Sequence, residues 1–334
     1  MFRSIVFFAA VSLIATIIPI RASAEPLDAD HVPADAKWVV HVDFESLSDS
    51  ELADAIRQQK PQMIQHVRKW IEKRYGINPP EDLRSITAFS RDYQVHTGTV
   101  ILQAEYDQAK VETVLNKAMN HRTTVWEGNT LHTVTLSKQK PSEDGPSGDE
   151  EMTVVMLDDD TIVFGSSIQN AKDAIGVLQS ETAVLAGSES PLITSAAQSA
   201  WVYGAAIDLQ QLENHPVAMP ILSQHKQIVW ALGERDGLIY EQCDLVAISE
   251  QVAQHTKTVL DGLVAYETLW AKDSDSMKDI MKSVSVNQEG NRSGFHWQGD
   301  SEKAVAALDE ILRRLSTWKP LLTSNHGNSR VKTR

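Results

Sequence analysis

The sequence predicts an α+β fold of two diverged repeats, each an antiparallel sheet with helices packed on one face. Three observations carry that prediction. SITAFSRDYQVHTGTV (85–100) and DLVAISEQVAQHTKTV (244–259) align without a gap, sharing Ala88/Ala247, Ser90/Ser249, His96/His255, Thr97/Thr256, Thr99/Thr258 and Val100/Val259. Self-similarity of this kind is the mark of a duplication. Hairpin patterns alternate with helical ones, which points to antiparallel sheets rather than a doubly wound parallel one. The 334 residues are 42% hydrophobic and 23% charged, which excludes collagen-like, low-complexity and wholly disordered chains.

Each copy opens with a Trp-containing strand that ends on an acid, WVVHVDF at 38–44 and WVYGAAIDL at 201–209. A long helical segment follows in the first copy. Ser48 or Asp49 starts it, Pro61 divides it, and Met63, Val67, Trp70 and Arg74 share one face. Gly76 is placed to end it as a left-handed C′ residue, and Asn78-Pro79-Pro80 then forces an extended link. After the first hairpin come a helix over 108–119, a hairpin turn at 126–130 with no counterpart in the second copy, a hairpin over 153–163, and a helix over 168–178. The second copy is expected to form its hairpin over 244–259, with helices over 273–283 and 302–315. In the last of these Val305, Leu308, Ile311, Leu312 and Leu315 make a helical stripe, capped by Asp300 or Ser301. Val100 and Val259 are expected to face the core at equivalent places.

The resulting organisation is a signal peptide (1–24), a first repeat (25–188), a second repeat (189–320) and a disordered basic tail (321–334), with the repeat boundary within 185–195. KQKPSEDGPSGDEE (138–151) reads as a mobile acidic loop. Arg3, the apolar stretch 5–20 and Ala22-Ser23-Ala24 form the signal peptide, with cleavage before Glu25. The stretch has 16 residues, short of the ~20 needed to span a membrane. No transmembrane helix is expected after cleavage, and the protein is placed in the periplasm or outside the cell. Cleavage removes Arg3 and Arg21, leaving 29 basic against 45 acidic residues, a net charge of −16. That charge disfavours nucleic acid and anionic membranes as partners. Cys243 is the single cysteine, so no intramolecular disulfide forms. It reads as a buried, inert strand thiol, the alternatives being a reactive thiol or an intermolecular disulfide.

Two motifs carry a resemblance. Pro33-Ala34-Asp35-Ala36 leading to Val39-Val40-His41-Val42-Asp43, and Gly76-Ile77-Asn78-Pro79 leading to Asp82-Leu83, resemble a group of secreted bacterial proteins of unknown function found in planctomycete-type genomes. The resemblance implies a signal peptide and α+β repeats. It implies no reaction, and so transfers no catalytic residues.

The chain has no GxGxxG, GxxxxGK[ST], HExxH, GxSxG or CxxC pattern, which removes the readily recognised enzyme classes. His96 and His255 each precede Thr-x-Thr-Val, and Asp43 and Asp208 end corresponding strands. These four are the weak catalytic candidates, since paired carboxylates and imidazoles meeting at a repeat interface could do acid–base work. Their plainer reading is turns and strand ends inherited by duplication. Asp158-Asp159-Asp160 reads as a solvated hairpin tip and Asp273-Ser274-Asp275-Ser276 as a helix cap; neither is expected to hold a metal. No cofactor is expected. The eight tryptophans, among them Trp38, Trp201, Trp230, Trp270 and Trp297, are read as strand–helix interface residues, the other reading being the wall of a sugar- or lipid-binding groove. The preferred function is an exported, non-enzymatic binding or envelope-associated protein whose partner is an unknown ligand or envelope component. The alternative is a hydrolase with an acid/histidine site at the repeat interface. Convergence of Asp43, His96, Asp208 and His255 in one pocket would favour the hydrolase; their separation would favour binding.

Overall fold

The computed structural model describes residues 26–94, 97–137, 150–212, 221–271 and 275–308. The first half runs β1 (Trp38–Asp43), four helices α1 (Phe44–Ser48), α2 (Glu51–Gln59), α3 (Pro61–Tyr75) and α4 (Pro79–Asp82), then the hairpin β2 (Leu83–Ser90) and β3 (Thr99–Ala104). It continues through α5 (Gln108–Asn116), β4 (Met119–Trp126), β5 (Asn129–Ser137), β6 (Glu150–Met156), β7 (Thr161–Gly165) and α6 (Ile168–Leu178). The second half runs β8 (Ala200–Ile207), β9 (His225–Arg235), β10 (Leu238–Ala247), α7 (Glu250–Trp270), α8 (Asp275–Ser283), β11 (Ser285–Glu289) and β12 (Arg292–Gly299). A last helix, α9, is described over 301–308.

Local sequence explains most of the boundaries. The Ser50 side chain accepts from the Ala53 amide and starts α2, and Pro61 sits in the first turn of α3, where its missing N–H costs nothing. Gly76 ends α3 at φ 72°. A Cβ at Gly76 would lie 2.7 Å from Asp107 Cβ, so both the backbone angle and the close approach require glycine. Asn78 is extended before Pro79, but Pro79 and Pro80 then open the short helix α4 instead of a purely extended link. Glu127 (φ 48°) and Gly128 (φ 82°) make the tight turn between β4 and β5.

The strands form one antiparallel sheet in the order β11-β12-β10-β9-β8-β1-β2-β3-β7-β6-β5-β4. β1 joins the halves: Val40 lies opposite Ala88 of β2 on one side and opposite Gly204 of β8 on the other. The expectation of a separate sheet for each repeat is therefore corrected. β1 and β8 are both apolar strands, and pairing them leaves neither with a bare edge. Nor do the helices keep to one face. Ile101, Val163, Val155 and Leu131 lie side by side beneath Ala171, Ala174 and Ile175 of α6. Leu102, Ile162, Val154 and Val134 occupy the other face, beneath Val111 and Leu115 of α5. The reason is legible in the strands themselves: VVHV, TVIL and TIVF are apolar at successive positions, so both faces need cover.

The aligned segments differ in structure. β10 ends at Ala247, and α7 begins at Glu250 after Ser249, whose side chain caps the Val252 amide. Residues 255–259 are thus helical, whereas Thr99 and Val100 open a strand. Asp244–Ala247 also belongs to the second strand of its hairpin, whereas Ser85–Ala88 belongs to the first. The threonines that suggest a strand are accommodated in the helix. Thr256 Oγ1 and Thr258 Oγ1 donate to the carbonyls of Val252 and Gln254, four residues back. Val259 is 47% exposed rather than in the core.

The order of elements nevertheless runs in parallel through the two halves. The first reads β1, β2–β3, α5, β6–β7, α6 with strands neighbouring as 1-2-3-7-6. The second reads β8, β9–β10, α7 and α8, β11–β12, α9 with strands neighbouring as 8-9-10-12-11. Among the described residues, the helices α1–α4 and the hairpin β4–β5 have no counterpart in the second half. The link at 185–195 is packed into the core, with Leu185 and Leu192 buried. The signal peptide, His96, the face of α3 bearing Met63, Val67, Trp70 and Arg74, residues 138–149 of the acidic loop, and the basic tail lie outside the described residues. Glu150 and Glu151, read as the end of that loop, instead pair with Ser137 and Thr135 in the sheet. Among the described residues no helix is long and apolar enough to cross a membrane.

Candidate functional site

Of the four catalytic candidates, Asp43 and Asp208 are held at opposite ends of β1. The Asp43 carboxylate caps α1, accepting from the Ser46 amide at 2.9 Å. Asp208 sits at φ 57° after β8 and pairs with Lys37 Nζ at 2.5 Å. Lys37 precedes β1 and Asp43 ends it, roughly 20 Å of strand apart. His255 is exposed on α7, and His96 is outside the described residues. Other histidines serve packing: His41 Nδ1 meets Thr87 Oγ1 at 2.9 Å, and His225 bridges the Ile221 carbonyl and Thr256 Oγ1. Asp160 at the β6–β7 tip pairs with Arg84 at 2.7 Å, and Asp275 in the first turn of α8 pairs with Lys278 at 2.9 Å. Among the described residues no group of three or more potential metal ligands converges.

A sizeable concavity lies elsewhere, between the sheet face of the second half and the helices α7, α8 and α9. It is a cleft of about 440 Å³. Trp230 and Leu232 of β9, Ile239 and Glu241 of β10, and Phe295 and Trp297 of β12 form its floor. Leu260, Leu263, Val264 and Glu267 of α7 face it at spacings of three, one and three, as one stripe of a helix must. Met277 and Met281 of α8 supply flexible, polarisable side chains to one wall, and Ala304 and Ala307 of α9 leave room at another.

Glu241 is the polar exception deep in this apolar surface. It lies directly opposite Leu232 and Trp297 in the neighbouring strands. Its Oε1 accepts from Trp230 Nε1 at 2.9 Å. Burial among apolar groups pushes the carboxyl above the usual glutamate value and favours the protonated acid, against the opposing pull of the indole N–H. Two further polar atoms on β12, Trp297 Nε1 and Ser293 Oγ, are buried with no partner among the described residues. Cys243, next along the same strand face, is pushed up to about 12 chiefly by burial, so it offers no thiolate. What the arrangement provides is an apolar slot with the Glu241 carboxyl on its floor and Glu267 on its α7 wall.

Trp230 and Trp297 line this cleft. Glu241 was not singled out by sequence, although a signal exists. Ile239, Glu241, Cys243 and Leu245 are the inward positions of an alternating strand, and an acid in that set is out of place.

No protein-family model matches this sequence, and no curated protein matches it. Among solved structures, crystal form III of the treponemal protein TP0453 is similar at a TM-score of 0.44 and 12% identity, covering 86% of this chain and 98% of that one. Crystal form I of the same protein is similar at 0.42 and 10%, covering 87% and 98%.

Proposed function

We propose that this is an exported, non-enzymatic binding protein that holds an apolar chain in the cleft beneath α7 and α8. The observation that carries the reading is the cleft itself: about 440 Å³, floored by Trp230, Ile239, Phe295 and Trp297 and roofed by an apolar stripe of α7. Small-ligand sites have volumes of about 300–1,000 Å³ and are built this way, as apolar walls with few polar groups. The separation of Asp43, Asp208 and His255 supports binding over hydrolysis. The signal-peptide pattern over residues 3–24 supports export to the periplasm or beyond. The parallel order of elements supports descent of the two halves from one duplicated unit, with the site evolved in the second.

The test is a chain-length series. Straight-chain amphiphiles of increasing length, with one head group, are titrated against the protein while a polarity-sensitive dye reports displacement. Affinity rises roughly fourfold per methylene, equivalent to ~0.8 kcal/mol each, until the cleft is filled, and then levels off. Failure of every member to displace the dye, or affinity independent of length, overturns the reading.

A further inference from the structure

We infer that His121 and His132 form an acid-sensitive clasp at the edge of the sheet: the pair holds the start of β4 against β5 while at most one imidazole is protonated, and releases it when both are. The sheet order ends on β5 and β4. The pairing of β4 with β5 slips between Met119 and Arg122. At that bulge Asn120 takes φ 53°, and its side-chain amide donates to Thr135 Oγ1 at 3.1 Å. A bulge re-aims the side chain beside it. Here it carries His121 across to His132, which the register sets opposite Thr123, two residues further along β4.

His121 Nε2 lies 3.0 Å from His132 Nδ1. The rings are 8° from parallel, with their centres 5.3 Å apart. That separation is as wide as a 3.0 Å contact between two ring nitrogens allows. Both nitrogens therefore lie on the line of centres, and the rings meet edge to edge in one plane. This is the geometry of a straight N–H···N hydrogen bond, with one place for a proton. Two neutral rings keep the bond whichever of them donates, and one imidazolium keeps it as a charge-assisted bond. Two imidazoliums break it, because two N–H groups then point at each other and two like charges share the gap.

The surroundings set when this happens. His132 is buried, with Val154 of β6 opposite it on the face that α5 covers. Burial and the neighbouring His121 oppose a charge on His132, whereas Glu112 of α5, held by the Gln108 amide at 3.1 Å, favours one. The second proton therefore enters at lower pH than a lone histidine takes its own. Arg122, next after the bulge, is fixed independently by two 2.7 Å bonds to Glu151. Its guanidinium holds that carboxyl below the usual glutamate value, so the ion pair outlasts the clasp. The release thus stops at Arg122: residues 119–121 and their junction with α5 come free, and the strand beyond stays paired.

The experiment follows the full chain from about pH 7.5 to about pH 4.5, the range in which imidazoles charge. Imidazole nitrogen shifts report the titration, and amide hydrogen exchange, corrected for the intrinsic effect of pH, reports the opening. The pair titrates in two steps about one pH unit or more apart. Protection over 117–121 falls at least about tenfold across the second step, while that over 123–131 changes by less than about twofold. His121→Gln, which leaves a hydrogen-bonding side chain that does not titrate, collapses the two steps to one and holds protection over 117–121 within about twofold down to the same pH. His132→Gln is the second variant and gives the same single step. A single step for both histidines at the ordinary value overturns the inference. So does unchanged protection over 117–121, or an acid loss in His121→Gln equal to that of the parent.

Discussion

α5 and the pair α7–α8 lie over the same face of the sheet, one over each half. Under α5 the layer is closed. Nine residues bring Val111 and Leu115 down onto Val134, Val154 and Ile162, and all five are buried. Asp107 caps that helix and also crowds Gly76 at the end of α3, so α5 is fixed from two sides. α7 is 21 residues long and carries apolar residues at more positions than the sheet beneath can cover. Leu263 and Tyr266 are each 52% exposed and Leu269 74%. The contrast teaches that apolar content alone does not close a helix layer. A short helix with two inward residues seats fully, whereas a long one held off the sheet leaves a cleft and an unfilled apolar demand.

The comparison can be broken most decisively by charge. Val154→Asp places an unpaired carboxylate beneath α5 at a position 1% exposed and costs about 4 kcal/mol or more, enough to abolish the cooperative unfolding transition. Val259→Asp on α7 changes stability by no more than ~0.5 kcal/mol, because that side chain already meets water. Urea unfolding followed by circular dichroism separates the two, and equal losses would erase the distinction.

Truncation gives a milder version. Leu115→Ala costs about 2–4 kcal/mol through transfer and cavity terms, whereas Leu263→Ala costs less than ~1 kcal/mol, as read from urea midpoints at constant m-value. Filling the cleft sharpens the contrast in the opposite direction. Ala307→Phe weakens amphiphile binding by at least about tenfold while moving Tm by less than ~2 °C, because the new ring occupies existing space. A large fall in Tm would mean that the walls are already in contact.

The smallest effect is a pH slope. The folded protein holds the Glu241 proton above its ordinary value of 4.5, whereas the unfolded chain releases it there. Stability therefore falls as pH rises from about 4.5 through the raised folded value, since the native state binds more protons. Glu241→Gln removes that part of the slope, so variant and parent converge at low pH and the variant is the more stable at neutral pH. Thermal unfolding across that range measures it; parallel curves would refute it.

Much of the scaffold was readable in the sequence, because its signals are local. α6 falls on 168–178 as the periodicity indicates, Pro61 and Gly76 punctuate α3, and the Glu127-Gly128 turn marks β4–β5. What was misread depended on competition between local and distant terms. Thr256, Thr258 and Val259 favour strands by propensity, but Ser249 capping and the back-bonded threonine hydroxyls hold them in α7. The six identities between 85–100 and 244–259 paired the first strand of one hairpin with the second strand of another. The cleft was less legible still, since it requires α7, α8, α9 and three strands to be placed before Glu241 can be seen facing apolar neighbours. Its one local trace is the acid at an inward position of β10.

β1 has a further consequence, for the order in which the chain acquires its structure. The strands of the first half can complete the pairings they make with one another as soon as β7 is available, but one edge of β1 waits for β8, more than 150 residues downstream. Until Tyr203 and Val202 settle opposite His41 and Val42, the half-finished molecule displays a bare apolar edge at what becomes the middle of the sheet. The second half thus serves as the edge cover of the first. A nascent or shortened chain ending near residue 188 carries a ready template for pairing with another copy of itself, and joining the two units in one polypeptide keeps that template for its proper partner.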